Sequence, residues 1–396
     1  MGSGKTSAAI TFMNEHPENK FLYVTPYLAE VERIKQACPG LFFTTPSNAF
    51  SSKLDNLHEL LSDTRNIVST HALFGTYTPY TRDLIKNGGY TLIMDEVFSV
   101  ITPMKFSISD INIMLDSGAA KIDSDGEHVI WVDESYDGLK FADVKQKALC
   151  GNLIRYKNKL MYWTFPVDTF EIFDDVYILT YLFGAQVQRY YYDMHKISYT
   201  FIGTTLVDGR YSFADRPFTP DYARGLKDKI VIVEDEKVNS IGDNKFALSS
   251  SWYKNASRYK KKPLIDTMRK NLHNVFRNRF CGQADQNMWT CFKSTRDLLA
   301  GGGYTKGFVP CNARATNEYA GRRNIAYCVN IFVDPDISGY FRYHNISIDE
   351  DTYALSEMIQ WIWRSAIRNG EEINLYIPSK RMRTLLQSWL DDLSKS

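Results

Sequence analysis

Apolar residues along the chain fall into two patterns. Short β-branched and aromatic runs, KFLYVTPY, TRNIVSTHALF and YTLIMDEVFSV, alternate with SAAITFMNE and LAEVERIKQAC, whose apolar positions recur every three or four residues. A short apolar run bounded by turn residues reads as a buried strand, and the wider spacing reads as an amphipathic helix. VYILTYLF reads as a fourth buried strand of the same set. Strand and helix alternating at this interval predict an α/β fold with mostly parallel sheets covered by helices.

The pattern weakens between about residues 101 and 175, where KIDSDGEHVIWV predicts a hairpin from Asp123 to Val132, followed by a Lys-rich helix. It resumes after YYYDMHKISYTFIG, with KIVIVE, NMWTCF, YCVNIFV and INLYIP as further strands. Two domains are therefore expected, 1–205 with an insertion at about 101–175, and 206–396. With 396 residues, 44% of them hydrophobic, each domain can bury its own core.

Charge changes this picture. The net value of +1 conceals sixteen Lys and Arg against four Asp and Glu between Lys245 and Arg323. Such a stretch is an electrostatic footprint for a polyanion. Trp252, Tyr253, Tyr259, Phe276, Phe280, Trp289 and Phe292 are interleaved with it, and no more than two of these are expected to stack on a ligand rather than fill the core. No apolar run has the length of a membrane span and no signal peptide pattern opens the chain, so a cytoplasmic location is expected, that of the bacterial host if the chain is phage-encoded. The six cysteines are scattered without metal-ligand spacing and are expected to be reduced.

The chain opens MGSGKT, most of a phosphate-binding loop. Gly2, Ser3 and Gly4 provide backbone that can close around an anion, Lys5 can reach the β- and γ-phosphates, and the Thr6 hydroxyl can hold Mg²⁺. The following helix turns its positive end toward the phosphates. The second half of a nucleotide site is the acidic pair at the end of TLIMDEVF. The C-terminal ends of strands line the crevice where α/β folds bind ligands; there Asp95 can hold Mg²⁺ and Glu96 can deprotonate the attacking water.

At these residues the sequence resembles the superfamily 2 helicases and translocases of the DEAD-like class. GSGKT matches the first motif, VTPYLAEVERI the next, STHALF another, DEVF the Walker B box, and LTYLF the coupling motif with Thr180 at its hydroxyl position. QWIWRSAIR matches the sixth, with Gln360, Arg364 and Arg368, although Trp363 replaces a glycine and the arginines are four apart instead of three. On a helix that spacing still keeps both on one face, and Arg364 has the standard distance from Gln360. GFVPCNARATNEY and YALSEMIQWIWRSAIR are similar to the helicases of tailed phages and prophages.

The resemblance implies two tandem RecA-like domains with ATP and Mg²⁺ in the cleft between them. Glu96, Gln360, Arg364 and Arg368 would be catalytic, one arginine acting as the finger on the γ-phosphate. Thr25, Pro26, Thr70, His71, Arg314, Thr316, Asn317 and Arg322 would contact nucleic acid, DNA ahead of RNA. The implied function is an ATP-dependent helicase or translocase in phage replication or recombination, with proteins of those processes as further partners. A nucleic-acid clamp without catalysis and a duplex translocase that does not separate strands stay open beside it. Relatives carry a strand and one or two small residues before MGSGKT, so impaired folding or ATP affinity is expected of this chain beside a longer one.

Overall fold

The computed structural model describes residues 4–48, 52–104, 106–157, 160–215, 225–258, 262–313 and 318–395. Two compact units divide the chain, Gly4–Pro217 with Asp334–Ile348, and Phe218–Val333 with Asp349–Ser396.

In the first unit α1 (Lys5–Glu15) leads into β1 (Lys20–Thr25), α2 (Leu28–Ala37), α3 (Lys53–Ser62), β2 (Ile67–Thr70), α4 (His71–Phe74), α5 (Pro79–Gly88) and β3 (Tyr90–Asp95). Helix starts are written locally. The Ser52 hydroxyl accepts from Asp55 N at the head of α3, and Thr78 and Thr81 form a capping box at the head of α5, with Pro79 as the first helical residue. Such a cap contributes about 1 kcal/mol. α5 stops at Gly89, whose φ of 64° suits a residue without Cβ.

The chain then forms β4 (Ile101–Met104), α6 (Ile108–Asp116), the expected hairpin as β5 (Ala120–Ile122) and β6 (Val129–Trp131), α7 (Ala142–Leu149), β7 (Leu153–Tyr156) and β8 (Leu160–Thr164). β4, β8 and β7 make an antiparallel sheet. Ile111, Met114, Trp131, Val144, Leu153 and Met161 give this middle segment its own core. β9 (Asp175–Leu179), α8 (Val187–His195) and a hairpin of β10 (Gly203–Val207) and β11 (Arg210–Ala214) complete the run.

The main sheet has the order β2-β1-β3-β9, parallel throughout. Successive strand residues face opposite sides. Leu22, Val24, Leu92 and Met94 pack on one face with Leu57, Leu61 and Ile85. Phe21, Tyr23 and Ile93 pack on the other with Met13 of α1 and Val31 and Ile34 of α2. β9 departs from the expected buried strand. Three of its five residues are half-buried and one is exposed, because β3 is its one neighbour among the described strands.

A helix distant in sequence finishes this unit. Pro335–Tyr343 returns to the middle segment, where Tyr156 Oη donates to Gly339 O at 3.0 Å and Tyr162 Oη to Asp336 O at 2.9 Å. Its Tyr340 and Phe341 join the core beneath the main sheet.

The second unit holds β12 (Ile230–Ile232), β13 (Asn287–Thr290), β14 (Asn324–Tyr327) and β15 (Ile373–Tyr376) in the parallel order β12-β15-β14-β13. The runs KIVIVE, NMWTCF and INLYIP contain β12, β13 and β15, whereas β14 ends at Tyr327, the first residue of YCVNIFV. Helices Ser250–Ala256, Pro263–Asn274, Glu350–Ile362 and Lys380–Lys395 accompany them. Tyr253, Phe276 and Trp289 are buried in its core, and Trp252, Phe280 and Phe292 pack against it; Tyr259 lies outside the described residues. Of the described basic residues between them, Lys254, Arg258, Arg269, Lys270, Arg277 and Arg279 are exposed and Lys262 is half-buried. The α/β class with parallel sheets in tandem is therefore what the chain adopts. Among the described residues no helix is long and apolar enough to cross a membrane, and all six cysteines are free thiols.

Candidate functional site

The C-terminal ends of the four parallel strands bring five of the sequence-predicted residues into one row. Thr25 stands opposite Thr70 in the β1–β2 register, and Asp95 opposite Leu179, the residue before Thr180, in the β3–β9 register. Thr25 Oγ1 donates to Asp95 Oδ2 at 3.4 Å. Thr180 Oγ1 donates to Glu96 Oε2 at 3.3 Å. His71, the first residue of α4, places Nε2 3.0 Å from Asp95 O; a carbonyl only accepts, so Nε2 carries the proton. Pro26 follows β1 directly.

Glu96 has φ of 64°, a left-handed conformation that costs a residue with a Cβ about 1–2 kcal/mol. Its amide donates to Leu179 O at 3.2 Å, so pairing with β9 holds the backbone there. Strain of this kind is retained where it aims a side chain.

α1 supplies the cationic side. Gly4 precedes it with φ of 72°, and a Cβ there would collide with the Tyr211 ring of β11, so glycine is required on two counts. Lys5 Nζ lies 5.9 Å from the centre of the Tyr181 ring. Thr6 follows as the second residue of α1. Gly2 and Ser3 lie outside the described residues.

The charges act on one another. Burial is the main cause holding the Asp95 carboxyl up at about 7, with the charges of Glu96 and Glu30 adding to it and Thr25 and Lys5 opposing. Burial also lowers Lys5 from its ordinary value, against the pull of Glu96 and Asp95. The Tyr23 phenol is pushed up by burial and by Asp95. Asp95 and Lys5 are thus both poorly solvated, and Glu96 adjoins them. Among the described residues no group of three or more His, Cys, Asp or Glu forms a metal cage. Mg²⁺ does not need one, since it binds through one or two carboxylates together with substrate phosphates.

Sequence reasoning missed Tyr181, Tyr211 and Glu30. Tyr181 adjoins Thr180 in LTYLF, so its neighbourhood was legible; Tyr211 comes from a hairpin with no motif, and Glu30 has the look of an ordinary first-turn carboxylate. Thr25 needs correcting. Its side chain is fully buried and serves Asp95, so it is not available to a nucleic-acid backbone.

In the second unit Gln360 is buried on the helix Glu350–Ile362, with Nε2 donating to Ser356 Oγ at 3.4 Å. The expected shared helix face for the two arginines is not formed. The helix ends at Ile362, Ser365 is extended, and Ala366 N leaves to bond Arg322 O at 2.9 Å. Arg364 is consequently buried, at 7% exposure, while Arg368 sits exposed on a separate short 3₁₀ turn, Ala366–Asn369. The Arg322 guanidinium donates to the carbonyls of Asp285 and Ala284. Arg314, Thr316 and Asn317 lie outside the described residues.

Comparison with known proteins adds the following. Residues 224–390 match the family described as YonV C-terminal Rossmann-like domain, and residues 101–163 the YonV middle domain. The chain is similar to the solved structures XPD_Helicase, at 10% identity and a TM-score of 0.43 over 100% of this chain and 94% of that one, and XPD_APO, at 13% and 0.42 over 98% and 94%. It is 42% identical over 406 residues to the SPbeta prophage-derived uncharacterized protein YonV of Bacillus subtilis (strain 168), covering 99% of this chain and 97% of that protein. With that identity along nearly all of both sequences, the chain belongs to the YonV family.

Proposed function

We propose that the chain is an ATP-dependent nucleic-acid motor, a helicase or translocase of the superfamily 2 type acting on DNA during phage replication or recombination. The observation that carries this reading is the meeting of Lys5, Asp95, Glu96 and Thr180 around the strand ends of a single parallel sheet. Lys5 and the N-terminal end of α1 bind the β- and γ-phosphates. Thr6 and Asp95 hold Mg²⁺, which supplies charge neutralisation at the phosphate oxygens. Thr25 and His71 keep Asp95 in place from its side chain and its carbonyl.

Glu96 accepts the proton of the attacking water, and the Thr180 hydroxyl on Oε2 fixes the orientation of that carboxylate. Arg364, with or without Arg368, supplies the guanidinium that stabilises the transferring phosphoryl group, an effect on the order of 10³ to 10⁵ in rate. Exposed basic residues among those described in 245–323, such as Lys270, contact the phosphate backbone without reading sequence.

ATP turnover measured with single-stranded DNA, duplex DNA and RNA in parallel tests the reading. Stimulation by a strand, abolished by Glu96→Gln with ATP binding retained, is the expected result. Salt-sensitive binding of a strand with no turnover would overturn the motor in favour of a passive clamp.

A further inference from the structure

The head of α1 is built differently from those of α3, α5 and α6. Each of those begins at a Ser or Thr whose side chain accepts a hydrogen bond from the first turn. Gly4 has no side chain to offer, and the first turn of α1 carries no acidic residue. Its carbonyl is held by Ala8 N at 2.8 Å, but its φ of 72° is one of several values a glycine reaches readily. Keeping that residue in one conformation therefore calls for a contact from outside the helix.

The contact comes from the β10–β11 hairpin, distant in sequence. Leu206 stands opposite Tyr211 and Thr204 opposite Phe213. Residues two apart share a face of a strand, so Tyr211 and Phe213 both turn toward α1. Phe213 is the anchor. Its ring stacks on Tyr177 of β9, with centres 5.2 Å apart and planes 3° from parallel, and lies 5.7 Å from the ring of Phe12 in α1. Phe12 in turn is 5.0 Å from Tyr177. This cluster fixes the hairpin against α1 and β9 and sets Tyr211, two residues nearer the turn, on Gly4. The half-buried ring fills the space into which a Cβ of Gly4 would project. A ring packed for stability alone would be served by any apolar surface of α1, whereas this one lies on the residue that opens the phosphate-binding end.

We propose that Tyr211 is a positioning residue for the nucleotide, its ring holding Gly4 in the left-handed form in which the start of α1 receives the phosphates. The proposal rests on the phosphate-binding reading above and adds to it a part played by the hairpin. Tyr211 acts through Gly4 on the phosphates, so its effect belongs to binding and is the same whether or not a base is attached.

Isothermal titration of the full chain with ADP and with inorganic tripolyphosphate, each with Mg²⁺, tests this. Tyr211→Ala should weaken both by about fivefold to twentyfold, the freedom that the backbone of one residue regains. Tyr211→Phe keeps the ring and should bind both as the parent does. Turnover of Tyr211→Ala at saturating ATP should change by less than about twofold, since an interaction equal in ground and transition states shows in KM alone. Unchanged affinity in Tyr211→Ala would leave the ring a structural part only, and a loss confined to ADP would assign it to the base; either overturns the proposal. The parent supplies a second measurement that does not depend on a variant folding. Coupling between two places is reciprocal, so tripolyphosphate with Mg²⁺ should slow amide exchange across 203–214, and exchange unaltered there would also overturn it. If the parent binds neither compound, the phosphate-binding reading itself fails and this role with it; if parent and Tyr211→Ala bind equally well, the role of Tyr211 alone falls.

Discussion

The Thr180 hydroxyl donates to the Glu96 carboxylate across 3.3 Å and so joins the ends of two paired strands, β9 and β3. A hydrogen bond to a charged group is worth about 1.5–3 kcal/mol. If the carboxylate works in the transition state, losing its orientation should appear in turnover rather than in substrate binding. Thr180→Val is thus expected to lower kcat by about tenfold or more with KM for ATP changed less than about threefold. Steady-state kinetics with a saturating strand checks this, and an equal change in both constants would assign Thr180 to binding instead.

Asp95 predicts a second effect, through stability. Its carboxyl sits at about 7 in the folded chain, well above the ~3.9 of an unfolded aspartate. Between those values the folded state holds the proton and the unfolded state does not, so this group's contribution to stability declines as pH rises from about 4 to about 7 and stays low above that. At pH 8, without divalent cations, Asp95→Asn should therefore melt above the parent. Adding Mg²⁺ with a non-hydrolysable ATP analogue should raise the parent's Tm and leave Asp95→Asn nearly unmoved. A variant that melts lower at pH 8 and still responds to Mg²⁺ would remove Asp95 from the metal site.

These effects concern residues whose placement was largely legible in the sequence. Strands β1, β2 and β3 are short apolar runs with both faces buried, and parallel pairing puts their C-terminal residues on one edge, so Asp95, Glu96 and Thr180 were bound to come near one another once the runs were recognised. What escaped is set by contacts distant in sequence. Nothing in IVSTHALF indicates that His71 bonds a carbonyl of β3, nor in KFLYVT that Thr25 turns inward. QWIWRSAIR keeps helical spacing through Arg368, yet Ala366 N pairs with Arg322 O and the helix stops early.

Arg322 and Lys270 separate structure from grip within the basic stretch. Arg322 donates to two backbone carbonyls of its own unit, whereas Lys270 is exposed on the helix Pro263–Asn274. Arg322→Ala should lower Tm, by the equivalent of about 1–3 kcal/mol for carbonyls left without their charged donor. Lys270→Ala should leave Tm within error, weaken binding similarly for all strand sequences, and reduce the salt slope of log K by about 1 if it meets one phosphate. Thermal melts and a salt titration on both variants distinguish the two roles; a stable Arg322→Ala with a reduced salt slope would return Arg322 to the nucleic-acid contacts.

The helix Pro335–Tyr343 carries the prediction least accessible from sequence, because its partners are more than 170 residues away. Tyr340 is 4% exposed, with its ring centre 5.7 Å from that of Tyr156 and 5.2 Å from that of Tyr162. Cutting such a side chain to alanine removes the burial and leaves a hole, at about 3–5 kcal/mol for a large aromatic. Tyr162→Phe removes only the hydroxyl that bonds Asp336 O and should cost about 1 kcal/mol. If the helix is an integral layer of the first unit, Tyr340→Ala should speed amide exchange in β7 and β8 as well as in the helix itself, since those strands lose the surface they pack on. If the helix merely rests there, exchange will rise within 335–343 alone and the strands will stay protected, which would reduce this distant segment from a part of the core to a removable cover.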